Sequence, residues 1–282
     1  MFTETYELCG VPVQITAPRP VKKDAQAELF CKPLQTADLH IALEPADELP
    51  EPQGTLCGQT GEKTIWRSGS RITRQTKDLF RPAPHIQAQY DLTDPGRVCA
   101  LVRREDWDWA AGTKYLWTGI AVNQLMLHFR TLFFHASCIE YRGQAILFTA
   151  PSGTGKSTQA ELWKQYRGAQ VLNGDKAAVS LREAPMAHGI PFSGTSGICR
   201  AFSLPLRAVV VLSQAPENTV RRMKPVEIVT ALCPNVFADK TVPEEWSMTL
   251  TLLLDLAAAV PVYALACTPD ERAVTALDNV LF

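Results

Sequence analysis

The sequence predicts an α/β protein: a mixed-sheet α/β domain over residues 113–282, preceded by a smaller β-rich domain over residues 1–112. Three observations predict it. Short stretches of strand-like alternation fill the chain up to about residue 110, a helical period begins near Thr113, and an apolar run, a glycine-rich stretch and a helical run follow one another from Ala145 to Arg167. A chain of 282 residues that is 46% hydrophobic has enough apolar surface to build cores of this kind.

The first domain is read from YELCGVPVQITA, DLHIALE, TIWRSGSRITRQT, HIQAQYDLT and RVCALVRRE, separated by the turn-rich pieces LPEPQGT, RPAP and TDPG. The expectation is an antiparallel β-rich region, with the charges of KDLFRPAPH on a solvated surface. From Thr113, TKYLWTGIAVNQLMLHFRT places Leu116, Ile120, Asn123, Leu125 and Phe129 near a 3.6-residue period, which predicts one helix of about five turns at the domain join. Trp107, Trp109 and Trp117 cluster there; packing between domains is the simpler reading, an aromatic binding platform the alternative.

Next, LFFHASCIEYRGQAILFTA holds two apolar runs joined at Arg142-Gly143-Gln144, a connection so short that only an antiparallel hairpin fits. AQVLNGDKAAVSLRE, LRAVVVLSQ and VPVYALACT read as further strands. VEIVTALCPNVF, EEWSMTLTLLLDLAAA and PDERAVTALDNVL read as amphipathic helices.

Charge and cysteine content exclude several classes. Lysine plus arginine number 28 against 29 acids, so a net charge of −1 gives no electrostatic reason to expect nucleic acid or an anionic membrane as partner. TLTLLLDLAAAVPVYALA comes nearest to the roughly 20 apolar residues that cross a bilayer, but Asp255 and Pro261 interrupt it. With neither a basic leader nor a signal-like apolar core in MFTETYELCG, the expectation is a cytoplasmic protein. Its eight cysteines stand singly, without the close pairing of a zinc or thiol-redox motif, and read as reduced packing residues.

Chemistry concentrates in APSGTGKST, Ala150 to Thr158. It fits G-x-x-x-x-G-K-[ST] with one departure, alanine at the first glycine position. Between a strand and a helix, such a loop turns the backbone amides of Gly153, Thr154, Gly155 and Lys156 toward phosphate oxygens, at the positive end of the helix dipole. Glycine lets the backbone approach closely and take positive φ. In this reading Ser152 to Thr158 hold the nucleotide, Lys156 reaches its β- and γ-phosphates, and the Ser157 hydroxyl ligates Mg²⁺. The alternative is a glycine-rich turn with an exposed lysine. Phosphoryl transfer also needs a carboxylate near the γ-phosphate, and Asp175 in QVLNGDKAAV is the candidate; a solvated aspartate in an Asn-Gly turn is its alternative.

FFHASCIEYRGQAILFTAPSGTGKST followed by VLNGDKAAV resembles the C-terminal catalytic domain of HPr kinase/phosphorylase, and more distantly the nucleotide-binding half of phosphoenolpyruvate carboxykinase. The resemblance spans Leu132 to Val179 and extends weakly to the C-terminus through PFSGTSGICRAFSLPLRAVVVL and VPVYALACTPDE. It implies a mixed-sheet P-loop kinase domain using ATP and Mg²⁺. It also implies that His135 flanks the reacting phosphate, that Lys156 and Ser157 contact nucleotide and metal, and that Asp175 is one of the family's paired acids. Only one acid is present, so a single carboxylate has both base and metal-ligand roles to fill. Arg200, after the glycine-rich SGTSGIC, matches an arginine that neutralises the transferring group; a surface arginine capping a turn is the alternative. Residues 193–197 read as a flap over the nucleotide or as a long turn.

The resulting expectation is an ATP-dependent kinase acting on a hydroxyl of a protein, a peptide or a small molecule. Carboxykinase chemistry is not expected, because the longer enzymes that perform it carry extra metal- and carboxylate-binding residues absent here. Two alternatives are a nucleotide-binding regulatory or assembly protein and a nucleotide hydrolase acting as a switch. The resemblance to hexameric HPr kinase implies self-association.

Overall fold

In a computed structural model the described residues are 1–78, 83–194 and 197–282. They form an α/β structure that divides into two compact units, one of Met1–His128 with Asp239–Pro243, the other of Phe129–Ala238 with Glu244–Phe282.

The first unit is built on an eight-stranded sheet. Its strands are β1 (Phe2–Leu8), β2 (Val11–Ala17), β3 (Leu39–Ala46), β4 (Thr55–Gln59), β5 (Lys63–Ser68), β6 (Arg71–Lys77), β7 (Pro84–Asp91) and β8 (Asp94–Arg103), in the spatial order β1-β2-β3-β8-β7-β6-β5-β4. Alternation decides which face is buried: Val11, Val13, Ile15 and Ala17 of β2 and Leu39, Ile41 and Leu43 of β3 point into the core. Cys9 and Gly10, both at positive φ, close the β1–β2 hairpin. The sheet is not wholly antiparallel as the sequence suggested: β2 with β3, and β3 with β8, run parallel. The connection from β2 to β3, which carries the single-turn helix α1 (Ala25–Glu28), is long enough to cross over, and such a crossover leaves no signature in strand alternation.

The expected five-turn helix after Thr113 is also broken. After α2 (Trp107–Ala110) the chain forms α3 (Lys114–Gly119), α4 (Val122–Leu125) and a 3₁₀ turn at Met126–Phe129, with Ala121 left-handed between the two helices at φ 54°. Leu116, Trp117, Ile120, Ala121, Val122, Leu125, Met126 and Leu127 are all buried, so the segment packs on more than the single face that a 3.6-residue period describes. Gly119 lies so close to Ile86 that a Cβ there would sit 2.6 Å from Ile86 Cδ1. This segment belongs to the first unit, so the boundary falls after His128 and not at residue 112. The tryptophans pack inside the same unit: Trp107 Nε1 donates to Pro20 O, Trp117 meets Tyr6 edge-on at 5.2 Å, and Trp109 meets His85 at a tilt and Tyr115 edge-on. Within the charged stretch 77–85, residues 79–82 lie outside the described residues.

The second unit carries β9 (Thr131–Tyr141), β10 (Gln144–Thr149), α5 (Lys156–Arg167), β11 (Gln170–Asn173), β12 (Lys176–Leu181), β13 (Pro185–His188), β14 (Ser203–Gln214), β15 (Thr219–Arg222), α6 (Pro225–Leu232), α7 (Pro243–Ala259, whose first residue falls in the other unit), β16 (Val262–Cys267) and α8 (Glu271–Leu281). The β9–β10 hairpin forms as the short connection requires, with Arg142 and Gly143 at positive φ between the paired Tyr141 and Gln144. Beyond it the sheet is mixed: β10 pairs β14 in parallel, β14 pairs β16 in parallel, and β12 and β15 run antiparallel to β9 and β16. Because β9 and β14 change partners along their length, the pairings β10-β9-β12-β13-β14-β10 close into a ring. Trp163 of α5 and Val274, Leu277 and Leu281 of α8 pack with Ile146 and Phe148 of β10 into one core, and an ion pair of 2.7 Å joins Arg167 to Asp278. Among the described residues no helix is long and apolar enough to cross a membrane, and all eight cysteines are free thiols.

Candidate functional site

The parallel strands β10, β14 and β16 run toward one edge of the sheet, β10 ending at Thr149 opposite Val211 and β14 and β16 ending together at Gln214 and Cys267. Ligands of α/β sheets bind at such carboxyl ends. The glycine-rich loop leaves β10 at this edge. Gly153 and Gly155 take φ of 79° and 116°, a conformation open to glycine at no steric cost, and Gly155 stands as the N-cap of α5. With glycine at the cap, no side chain occupies the orphan amides of the first turn. Ser152, Gly153, Ser157 and Thr158 are exposed and Thr154 partly so, whereas Lys156 is 7% exposed and donates from Nζ to Ala150 O at 2.9 Å and Pro151 O at 3.3 Å. The alanine at the first position of the loop is fully buried.

Asp175 reaches the same edge through a break in a strand. β11 and β12 both pair with β9, and residues 174 and 175 lie between them. Three bonds shape the break: Asn173 Oδ1 accepts from the backbone N–H of Asp175 and of Lys176, both at 2.9 Å, and Ser137 Oγ donates to Gly174 O at 2.6 Å. Ala136 N donates to Asp175 O, and Lys176 sits directly opposite His135. His135 is therefore held inside β9, one residue beyond the stretch that pairs with β10, its own carbonyl accepting from Thr149 Oγ1 at 3.1 Å.

These side chains feel one another. Burial first, then the Lys156 ammonium, presses the His135 imidazole below its ordinary value; Lys176 adds to this and Asp175 opposes it. Burial likewise lowers Lys156, again opposed by Asp175. The Lys176 ammonium lies 5.0 Å from the Phe192 ring and 5.5 Å from the Phe237 ring, and Phe237 also faces His135 at 6.2 Å. Gly194 closes over the aspartate: a Cβ there would stand 2.8 Å from Asp175 Oδ2. The structure thus brings His135, Lys156 and Asp175 together. Arg200 is exposed, and its backbone, not its guanidinium, is what packs, against Gly189. Of the glycine-rich segment 193–197, residues 195 and 196 lie outside the described residues.

Among the described residues no group of three or more His, Cys, Asp or Glu forms a ready metal cage. Mg²⁺ keeps several waters and needs only one or two protein oxygens, and the Ser157 hydroxyl with the Asp175 carboxylate is a donor set of that kind. Sequence reasoning passed over Ser137, Asn173, Phe192 and Phe237 as parts of the site, and read Gly194 only within a flap or long turn. Asn-Gly was legible as a turn, but not that the Asn173 side chain would orient the next two amides; for Phe192 and Phe237 no local signal exists.

Fold and site together define a mixed-sheet α/β protein whose glycine-rich loop, strand histidine and strand-break aspartate meet at the carboxyl edge of the sheet. The chain belongs to the family described as SynChlorMet cassette protein ScmC, which matches residues 98–281. Among solved structures it is similar to the Hpr(Ser) kinase/phosphatase from Coxiella burnetii, at 14% identity over 53% of this chain and 87% of that one, with a TM-score of 0.32. No curated protein matches it.

Proposed function

We propose that the protein is an ATP-dependent kinase that transfers the γ-phosphoryl group to a hydroxyl of a protein, peptide or small-molecule acceptor. The observation that carries this reading is that Asp175 lies close enough to both Lys156 and His135 to act on their proton affinities, at the edge where the glycine-rich loop meets α5. Phosphoryl transfer asks for positioning and charge stabilisation more than covalent chemistry. Lys156 exchanges its bonds to Ala150 O and Pro151 O for phosphate oxygens, and the backbone amides of the loop bind the same group. Asp175 accepts the proton of the attacking hydroxyl, and a His135 kept neutral by burial and by Lys156 can hydrogen-bond the transferring group without adding a proton. Mg²⁺, held by Ser157 and Asp175, would neutralise charge on the phosphate oxygens. Arg200 joins this set only if its exposed side chain swings inward.

A second reading, a nucleotide-binding protein without transfer, is favoured by the single acid of the site, Asp175, whose chain neighbours are Gly174 and Lys176. Incubation with Mg²⁺ and γ-labelled ATP separates the readings. The kinase reading expects label on an acceptor from a panel of peptides, hydroxyl metabolites and extract, lost in Lys156→Ala and Asp175→Asn. Bound ATP with no turnover supports the second reading, and release of free phosphate without acceptor supports a hydrolase.

A further inference from the structure

A cleft of about 670 Å³ opens directly beside the glycine-rich loop, lined by Thr158 and Gln159 of α5, Leu212 and Gln214 of β14, and Cys267 and Thr268 at the end of β16. Its floor is apolar at Leu212, and its wall carries one polar group that is not satisfied. Gln159 is 3% exposed; its Nε2 donates to Cys267 Sγ at 3.3 Å, while its Oε1 is buried with no hydrogen-bond partner. A buried amide oxygen left bare is destabilising, so its retention in a cleft wall calls for a ligand or an ordered water. The cleft contains loop residues Gly153, Thr154 and Gly155 at one end, so a group in it is continuous with phosphates on the loop.

We propose that this cleft is the nucleoside subsite and that Gln159 Oε1 accepts a hydrogen bond from the exocyclic amine of an adenine-type base; the proposal rests on the nucleotide reading of the loop. With Nε2 engaged by Cys267, the oxygen is the group left to accept, and because it is buried the side chain has to turn toward the cleft for a base to reach it. An amino group at the six position of a purine meets it with a donor, whereas a six-position carbonyl meets it with a second acceptor. Rejection of the keto base follows from leaving two acceptors face to face without a proton between them.

Binding of ATP, inosine triphosphate and inorganic tripolyphosphate to the full chain tests this. Wild type is expected to bind ATP about tenfold more tightly than the inosine nucleotide, and Gln159→Leu to bring that ratio near one with tripolyphosphate affinity unchanged. ATP, but not tripolyphosphate, is expected to shield Cys267 from maleimide, read residue by residue by mass spectrometry. Equal affinity of wild type for ATP and the inosine nucleotide, an unchanged ratio in Gln159→Leu, or equal shielding by tripolyphosphate overturns the subsite while leaving the loop reading intact. Failure of ATP and tripolyphosphate alike to bind overturns the loop reading, and the subsite with it.

Discussion

Gly194 lies against the carboxylate of Asp175 so closely that a methyl group at 194 would meet Asp175 Cβ at 2.7 Å and Oδ2 at 2.8 Å. No real Cβ tolerates both contacts, so Gly194→Ala must push the carboxylate or the segment that covers it. Geometry at a reacting centre is sensitive at the ångström scale, and the expected result is a fall in kcat of roughly tenfold or more with the ATP Kd little changed. Steady-state kinetics alongside equilibrium nucleotide binding checks the split. A loss confined to ATP affinity would mean that Gly194 serves the nucleotide and not the aspartate.

Asn173 and Ser137 define the strand break that aims Asp175. Asn173→Ala removes the acceptor for two backbone amides, and Ser137→Ala removes the bond to Gly174 O. Each is expected to cost about 1 kcal/mol of stability for every hydrogen bond lost, read by chemical denaturation. Turnover should fall further than stability does, because the loosened element carries the proposed base.

The depressed His135 imidazole has a pH signature. Its folded proton affinity lies below the ordinary value of 6.5, so the unfolded chain binds the extra proton first as pH falls. The stability associated with this group is present above pH 6.5 and declines as the medium is acidified below it. His128, lowered by burial alone, contributes with the same sign. His135→Gln is therefore expected to flatten part of the acid limb of a stability-versus-pH curve and to leave the share due to His128.

In the first unit, Arg74 is 1% exposed and pairs with Asp239 at 2.7 Å. Burial is the largest influence on this carboxyl and raises it, yet hydrogen bonds from Thr241 and the charge and hydrogen bond of Arg74 together hold it below its ordinary value of 3.8. Its contribution is thus complete above pH 3.8 and fades as pH falls through the lowered value. Asp239→Ala takes the carboxylate from a buried guanidinium that keeps its bond to Tyr90 and is expected to destabilise the protein by about 3 kcal/mol, measured by denaturant unfolding at pH 7.

Much of the second unit was legible because its signals are local. A strand, a glycine-rich loop with Lys-Ser-Thr and a helix occur within one short stretch, and the Arg142-Gly143 turn dictates an antiparallel neighbour before the loop. Asp175 could be singled out because Asn-Gly breaks a strand pattern. What stayed hidden is non-local. The parallel pairing of β3 with β2 and β8 depends on crossovers, the left-handed Ala121 breaks a segment whose apolar period runs through it, and the unit boundary at His128 depends on which sheet the segment packs against. The cleft wall is the clearest case: Gln159 and Cys267 are 108 positions apart, and no spacing rule joins them.

The central claim is that Asp175 acts on the terminal phosphate of a nucleotide held by the loop. Single-turnover loss of the γ-phosphate in wild type and Asp175→Asn, at ATP concentrations that saturate both, measures it most directly. The account predicts a rate lower by roughly 10²-fold or more in the variant with nucleotide affinity nearly intact. Equal single-turnover rates in the two proteins would contradict it.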